Sequence, residues 1–217
     1  MNGRATKIGM KNKIVIGIDQ SYADTGIAVV FNNKLMSVTN CKLSTSKTNT
    51  ERRQCLRTKL TRVFSMMQRK AMSVGDCEVV CIIERIRLQS AKPGTEHFLN
   101  LSYIKGIGAL NALIVDVASE YDIPVYSVDT RSWKSQVVGS SKPQSNKLGF
   151  PSEKWPTILW CKRKGYENWI IEEASAKKKK AVFLRNGKKY TYNDNKADAI
   201  CIAFYGFVVN QKLEEER

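Results

Sequence analysis

The 217-residue chain is poor in the side chains on which most zinc and redox chemistry relies. It has one histidine, His97, and its six cysteines, at 41, 55, 77, 81, 161 and 201, form no CxxC pair, so the spacing of a zinc site is missing. Most of the cysteines lie inside apolar runs such as CEVVCIIE and AICIAF. Cysteine there acts as a small core residue, so reduced thiols and an intracellular setting are expected. No apolar run approaches the about 20 residues that cross a bilayer, and IVIGI, after the basic N-terminus, is shorter than a signal-peptide core. Neither secretion nor a membrane partner is expected. Acidic residues are scarce too, with 20 Asp and Glu against 36 Lys and Arg, a net charge of +16. That balance implies a polyanionic partner, nucleic acid first among candidates, but says nothing about chemistry.

With 42% hydrophobic residues the chain can bury one substantial core and is short for two. A single domain is expected over 13–213, preceded by a flexible basic arm at 1–12 and followed by a solvated tail at 214–217. KIVIGID, TGIAVVF and KLMSV, the last two separated by Asn32-Asn33, predict an antiparallel three-strand meander. From Glu51 to about Met72, Leu56, Leu60, Val63, Phe64 and Met67 keep helical spacing. Arg52, Arg53, Arg57, Lys59 and Arg62 form the cationic face of that helix.

CEVVCIIE reads as a strand buried on both faces. Residues 96–121 predict a long helix, with Gly106, Gly108, Ala109 and Ala112 leaving room for another backbone, and IPVYSV predicts a further strand. Asp129 can cap a short helix through Trp133 that Gly139 ends, and Ser152 and Gly165 bracket another. Asn-Gly in VFLRNGKKYTY predicts a hairpin inside a basic insert at about 166–193, which also carries the Lys177–Lys180 run. Between Arg131 and Lys189 there are fifteen Lys and Arg against four Glu, so most of the excess charge is local. Trp133, Trp155, Trp160 and Trp169 can stack on bases, although core packing is the commoner role. A last helix runs from Asp194 to about Leu213. The order of elements is that of an α/β fold with a mixed sheet flanked by helices.

Three carboxylates fall where apolar patterns stop. Asp19 closes the first strand and Glu84 the fourth, and a charge at such a point must meet water, a cation or donors, because stranding it in the core costs several kcal/mol. Asp198 lies in the first turns of the last helix between Ala197 and Ala199, ahead of an apolar stripe. Asp194 precedes it, where an N-cap is the ordinary reading. Acids drawn from two strands and a helix form a set of hard oxygen ligands suited to Mg²⁺ or Mn²⁺. Two such ions can activate a water and stabilise the departing oxygen of a phosphodiester.

The chain resembles the RuvC-type Holliday junction resolvases of the RNase H-like (retroviral integrase) superfamily, of the kind carried by bacteriophages. IGIDQSYADTGIAVV is similar to that family's opening hairpin and IIERIRL to its glutamate strand. LNLSYIKGIGALNALIVDVASEYDIPVY is similar to its long helix and next strand, and SWKSQVVGSSK to its lysine-rich segment. The likeness covers about residues 13–210. It implies an RNase H-like fold and a homodimeric endonuclease, in the cytoplasm of a bacterial host cell, that cuts Holliday junctions and forks with two Mg²⁺ or Mn²⁺ ions. It further implies that Asp19, Glu84 and Asp198 are the catalytic, metal-binding carboxylates, with Asp194 or Asn195 completing the set. Lys134 and Lys142 would contact the scissile backbone, with Lys147, Arg131, Arg85 and Arg87 as further DNA contacts. The chain departs from the family in having Asn195 three residues before Asp198, Gln20-Ser21 in place of Pro-Gly, and Arg87 where some relatives place an aromatic.

Other classes share parts of this pattern. Actin-like ATPases and sugar kinases open with a similar hairpin, but no second such hairpin and no Gly-rich adenosine loop is found here, in a chain of about half the length. A non-catalytic structure-specific DNA-binding protein would satisfy the basic surfaces and leave the three acids unexplained. An RNase H-like nuclease acting on RNA–DNA hybrid would share the chemistry and differ in substrate.

Overall fold

The computed structural model describes residues 11–21, 23–42, 48–85, 101–140, 142–174 and 181–215, excepting the side chains of 101–104 and of the last helix from 210 onward. Strands β1 (Asn12–Asp19), β2 (Asp24–Phe31) and β3 (Lys34–Lys42) form the expected antiparallel meander. Asn32 and Asn33 both take positive φ, as a tight turn matched to strand twist requires. Strand β4 (Cys77–Glu84) runs parallel to β1, and β5 (Val125–Val128) runs parallel to β4, giving the order β3-β2-β1-β4-β5. This is a mixed sheet of the RNase H-like type.

Period-2 alternation divides the sheet residues between two cores. Ile14, Ile16, Ile18, Val79, Cys81 and Ile83 face one side, where they meet helices α1 (Asn49–Val74) and α2 (Leu101–Ser119). Helix α1 starts at a capping box, in which Thr48 Oγ1 accepts from the Glu51 backbone and the Glu51 carboxylate accepts from Thr48. Leu56, Leu60, Phe64 and Met67 are its buried stripe, as their spacing predicts. Val15, Val80, Ile82, Ala28 and Val30 face the other side and meet the last helix, α6 (Asp194–Glu215).

At Gly17 and Gly26 the backbone of α6 comes directly against the backbone of β1 and β2. An added Cβ at Gly17 would stand 2.4 Å from both Ala199 O and Ala203 N, and one at Gly26 would stand 2.2 Å from Asn195 O. Two missing side chains thus set the depth of the helix.

Between β5 and α6 the chain builds the second layer. Helix α3 (Thr130–Trp133) is capped by Asp129, as expected, and continues as a π-helical turn to Gly139, whose φ of 82° stops it. Helix α4 (Trp155–Arg163) starts at Trp155-Pro156, not at Ser152, because Pro156 is preorganised for a first helical turn. The insert holds a short helix α5 (Glu167–Ile170) and a three-stranded sheet in place of a lone hairpin. Strands β7 (Phe183–Arg185) and β8 (Lys188–Tyr192) turn at Asn186-Gly187, and β6 (Ile171–Glu173) pairs with β8 on its other edge. The sequence pattern missed β6, since three residues carry no readable alternation. The Lys177–Lys180 run, Arg87 and His97 lie outside the described residues. Trp133 is fully buried, Trp155 and Trp160 pack in aromatic clusters with Phe150, Tyr192 and Phe204, and Trp169 is exposed.

Gly17→Ala should destabilise the protein by about 1–3 kcal/mol, as other overpacked sites do. Gly108→Ala, in α2 with open space around the new methyl, should be neutral or stabilising by up to about 1 kcal/mol. Urea unfolding of the two variants checks this.

Candidate active site

Asp19 and Glu84 are the residues that follow the in-register pair Ile18 and Ile83 on neighbouring parallel strands. Alternation turns both acids toward the α6 face, in line with Val15 and Gly17 on one strand and Val80 and Ile82 on the other. The two strand ends are tied by Gln20. Its side-chain amide accepts from Glu84 N at 3.2 Å and donates to Glu84 O, so it adds one rung where backbone pairing has stopped. Gln20, a departure from the family pattern, therefore has a structural task at the site.

Helix α6 supplies the other acids. Asn193, not Asp194, is its N-cap: Asn193 Oδ1 accepts from Lys196 N at 2.9 Å. Asp194 is thereby released from capping and stands in the first turn. Asp198, one turn further along, is beside the Gly17 contact and only 1% exposed. Its Oδ2 accepts from Lys154 Nζ at 2.6 Å, and its Oδ1 is buried with no hydrogen-bond donor. Asn195 Nδ2 donates to Asp24 O at 2.6 Å, tying the first turn of α6 to the start of β2.

The charges of this group act on one another. Burial first, and then the charges of Asp198, Glu84 and Asp194, push the Asp19 carboxyl well above the ordinary carboxylate value. Burial also raises Glu84, aided by Asp198 and opposed by a hydrogen bond that Thr130 Oγ1 donates to its carboxylate. Burial alone would depress the Lys154 ammonium, yet Asp198 and Asp19 hold it above the usual lysine value. Lys154 also lies 3.7 Å from Asp194. With Lys134, whose charge also opposes the rise at Glu84, it offsets the repulsion among the neighbouring acids.

Lys154 is the residue that sequence reasoning missed. The signal available was its place just before Trp155-Pro156, inside a segment expected to be helical from Ser152. Lys134, expected at the scissile backbone, is buried, with Nζ 3.1 Å from Glu153 O and over the Trp133 ring at 5.3 Å, and its charge acts on Glu84. Lys142, Lys147, Arg131 and Arg85 are exposed, Arg131 in the first turn of α3 and Arg85 just past Glu84.

Among the described residues no three His, Cys, Asp or Glu side chains are already drawn into a metal cage. The donor set nevertheless fits a hard divalent cation. It consists of carboxylates alone, one buried oxygen of Asp198 lacks any donor, and the mutual repulsion of the acids calls for positive charge.

No family model matches the chain, and no curated protein is similar to it in sequence. Two solved structures share its fold over nearly their whole length. The chain is similar to Thermus thermophilus RuvC in complex with a Holliday junction substrate, with a TM-score of 0.57 at 15% identity, covering 92% of this chain and 96% of that one. It is equally similar to a second Thermus thermophilus RuvC structure, with a TM-score of 0.55 at the same identity and coverage. The fold expected from the sequence is thus observed: an RNase H-like fold of the RuvC kind.

Lys154→Met should destabilise the metal-free protein by about 3 kcal/mol, since breaking a buried pair leaves Asp198 uncompensated. Adding Asp19→Asn should restore part of that loss by removing a repelling charge. Asp19 and Glu84 have raised values in the fold, so their contribution favours folding below the raised value and is lost as pH rises through it. The gain from Asp19→Asn should therefore be larger at neutral than at mildly acidic pH. Thermal melts of the wild type and the two variants at both pH values check the sign.

Proposed function

We propose that this chain is a metal-dependent endonuclease that cuts Holliday junctions and related branched DNA. One observation carries the reading: the sheet face and the close-lying α6 bring Asp19, Glu84, Asp198 and Asp194 into one electrostatic group inside a strongly basic chain. A protein that only bound DNA would gain nothing from acids facing a polyanion. The likeness to a RuvC bound to a Holliday junction supports branched DNA as the substrate.

In this reading Asp19, Glu84 and Asp198 hold Mg²⁺ or Mn²⁺, with Asp194 as the outer, more exposed ligand. A bound pair of ions supplies an activated water and charge stabilisation for the departing oxygen. The chain's own residues do the rest. Thr130 and Gln20 orient Glu84, and Lys154 neutralises the acids while the site is empty of substrate. Exposed Lys142, Lys147, Arg131 and Arg85 would hold the phosphate backbone, with Arg87 and the Lys177–Lys180 run, outside the described residues, as further proposed contacts. A homodimer through α2, where Gly108 is open and Val115 is exposed, would present two such sites to two strands.

Asp19→Asn, Glu84→Gln and Asp198→Asn should each lower cleavage by more than about a hundredfold, beyond the cost of removing a residue that only orients a metal ligand, with junction binding retained. Asp194→Asn should cost less. Gel assays with Mg²⁺ or Mn²⁺ on four-way junction, fork, duplex and RNA–DNA hybrid test both the chemistry and the substrate: absence of cutting on all four sinks the nuclease reading, and preference for hybrid moves the substrate to RNA–DNA. Changing Lys177–Lys180 to Ala should weaken junction and duplex binding alike and reduce the log–log salt slope by roughly 0.9 for each phosphate that is no longer neutralised. An unchanged slope would remove that run from the interface.

A further inference from the structure

The basic insert is joined to the start of α6 by a polar cluster that has no part in the chemistry above. Glu172 of β6 is its centre, and its side chain is 15% exposed. Glu172 Oε1 accepts from Lys196 Nζ at 2.8 Å and from Asn193 Nδ2 at 3.1 Å, and Oε2 accepts from Lys42 Nζ. Asp24, at the start of β2, completes the cluster. Its carboxylate accepts from Asn193 Nδ2 at 2.7 Å and from Asn40 Nδ2 at 2.6 Å. Asn193 is thus shared. Its amide bridges Glu172 and Asp24 while its Oδ1 caps α6. Burial alone would push the Glu172 carboxyl up, but donors from Lys196, Lys42 and Asn193 outweigh it and hold it below the ordinary value. The cluster is therefore a satisfied, charged one, costly to open.

The helix whose first turn it fixes is the one that carries Asp194 and Asp198. Gly17 and Gly26 set how deep α6 lies, yet a glycine contact does not stop a helix from sliding or rotating about its axis. The cluster does, because it holds Asn193 and Lys196 from two directions, β2 and β6. We infer that Glu172 is a positioning residue for the carboxylates of α6, so that the insert, besides adding positive charge, holds the nuclease site in register. This inference rests on the nuclease reading. The insert would then be a structural requirement of cleavage even where its lysines touch no DNA.

The test compares Glu172→Ala, Glu172→Gln and Lys196→Met in the full-length protein, by Mn²⁺ titration calorimetry without DNA and by junction cleavage and binding. Glu172→Ala should weaken Mn²⁺ binding and lower kcat by about tenfold or more, the scale for loss of residues that orient metal ligands. Junction Kd should stay within about twofold, since phosphate contacts dominate affinity. Glu172→Gln keeps the acceptor for Asn193 and should recover most of the loss, and Lys196→Met should fall between the two. If Glu172→Ala does not fold, the Gln and Met variants decide: both at wild-type Mn²⁺ affinity and kcat would overturn the inference. Wild-type values in a folded Glu172→Ala would overturn it as well and leave the nuclease reading standing. A wild-type protein that neither takes up Mn²⁺ nor cuts any branched substrate would sink the nuclease reading, and this inference with it.

Discussion

Helix α6 can reach the β1–β2 hairpin only because positions 17 and 26 carry no Cβ. The other features of the site depend on that approach. It brings Asp198 beside a strand whose own last residue is Asp19, and it lets a helix start stand over the carboxyl ends of two parallel strands. The same close packing buries Asp19 and Asp198 at its margin. The raised carboxyl values of Asp19 and Glu84 follow from this geometry.

A group of buried acids would by itself oppose folding. Lys154 offsets the repulsion from a separate element, the start of α4, and so joins the second layer of the molecule to the first by charge. The cost is that Asp198 retains an oxygen without a donor.

Much of this is legible from sequence because the relevant signals are local. The apolar runs KIVIGID and CEVVCIIE predict two buried strands that each end in an acid, whereas the shared face of Asp19 and Glu84 follows from the β1–β4 register. Asn32-Asn33 and Asn186-Gly187 declare their turns by the need for positive φ. What escapes depends on contacts between distant segments. Lys154 pairs with Asp198 across 44 residues, and its place before Trp155-Pro156 marks a helix start without telling which acid it meets. Asn193 and Asp194 are both good caps, and only the bridge from Asn193 to Asp24 and Glu172 decides between them. Strand β6 is invisible for the same reason, being defined by its partner β8.

The amide of Gln20 stands in for a peptide group, bonding to Glu84 through both its donor and its acceptor. Strand spacing is ordinarily a property of the main chain and hardly open to change by substitution. Here the last link between two strand ends that carry acids is a side chain, and the backbone rungs below it do not depend on it. Gln20 thus extends the β1–β4 ladder by one rung, at the point where the acids begin.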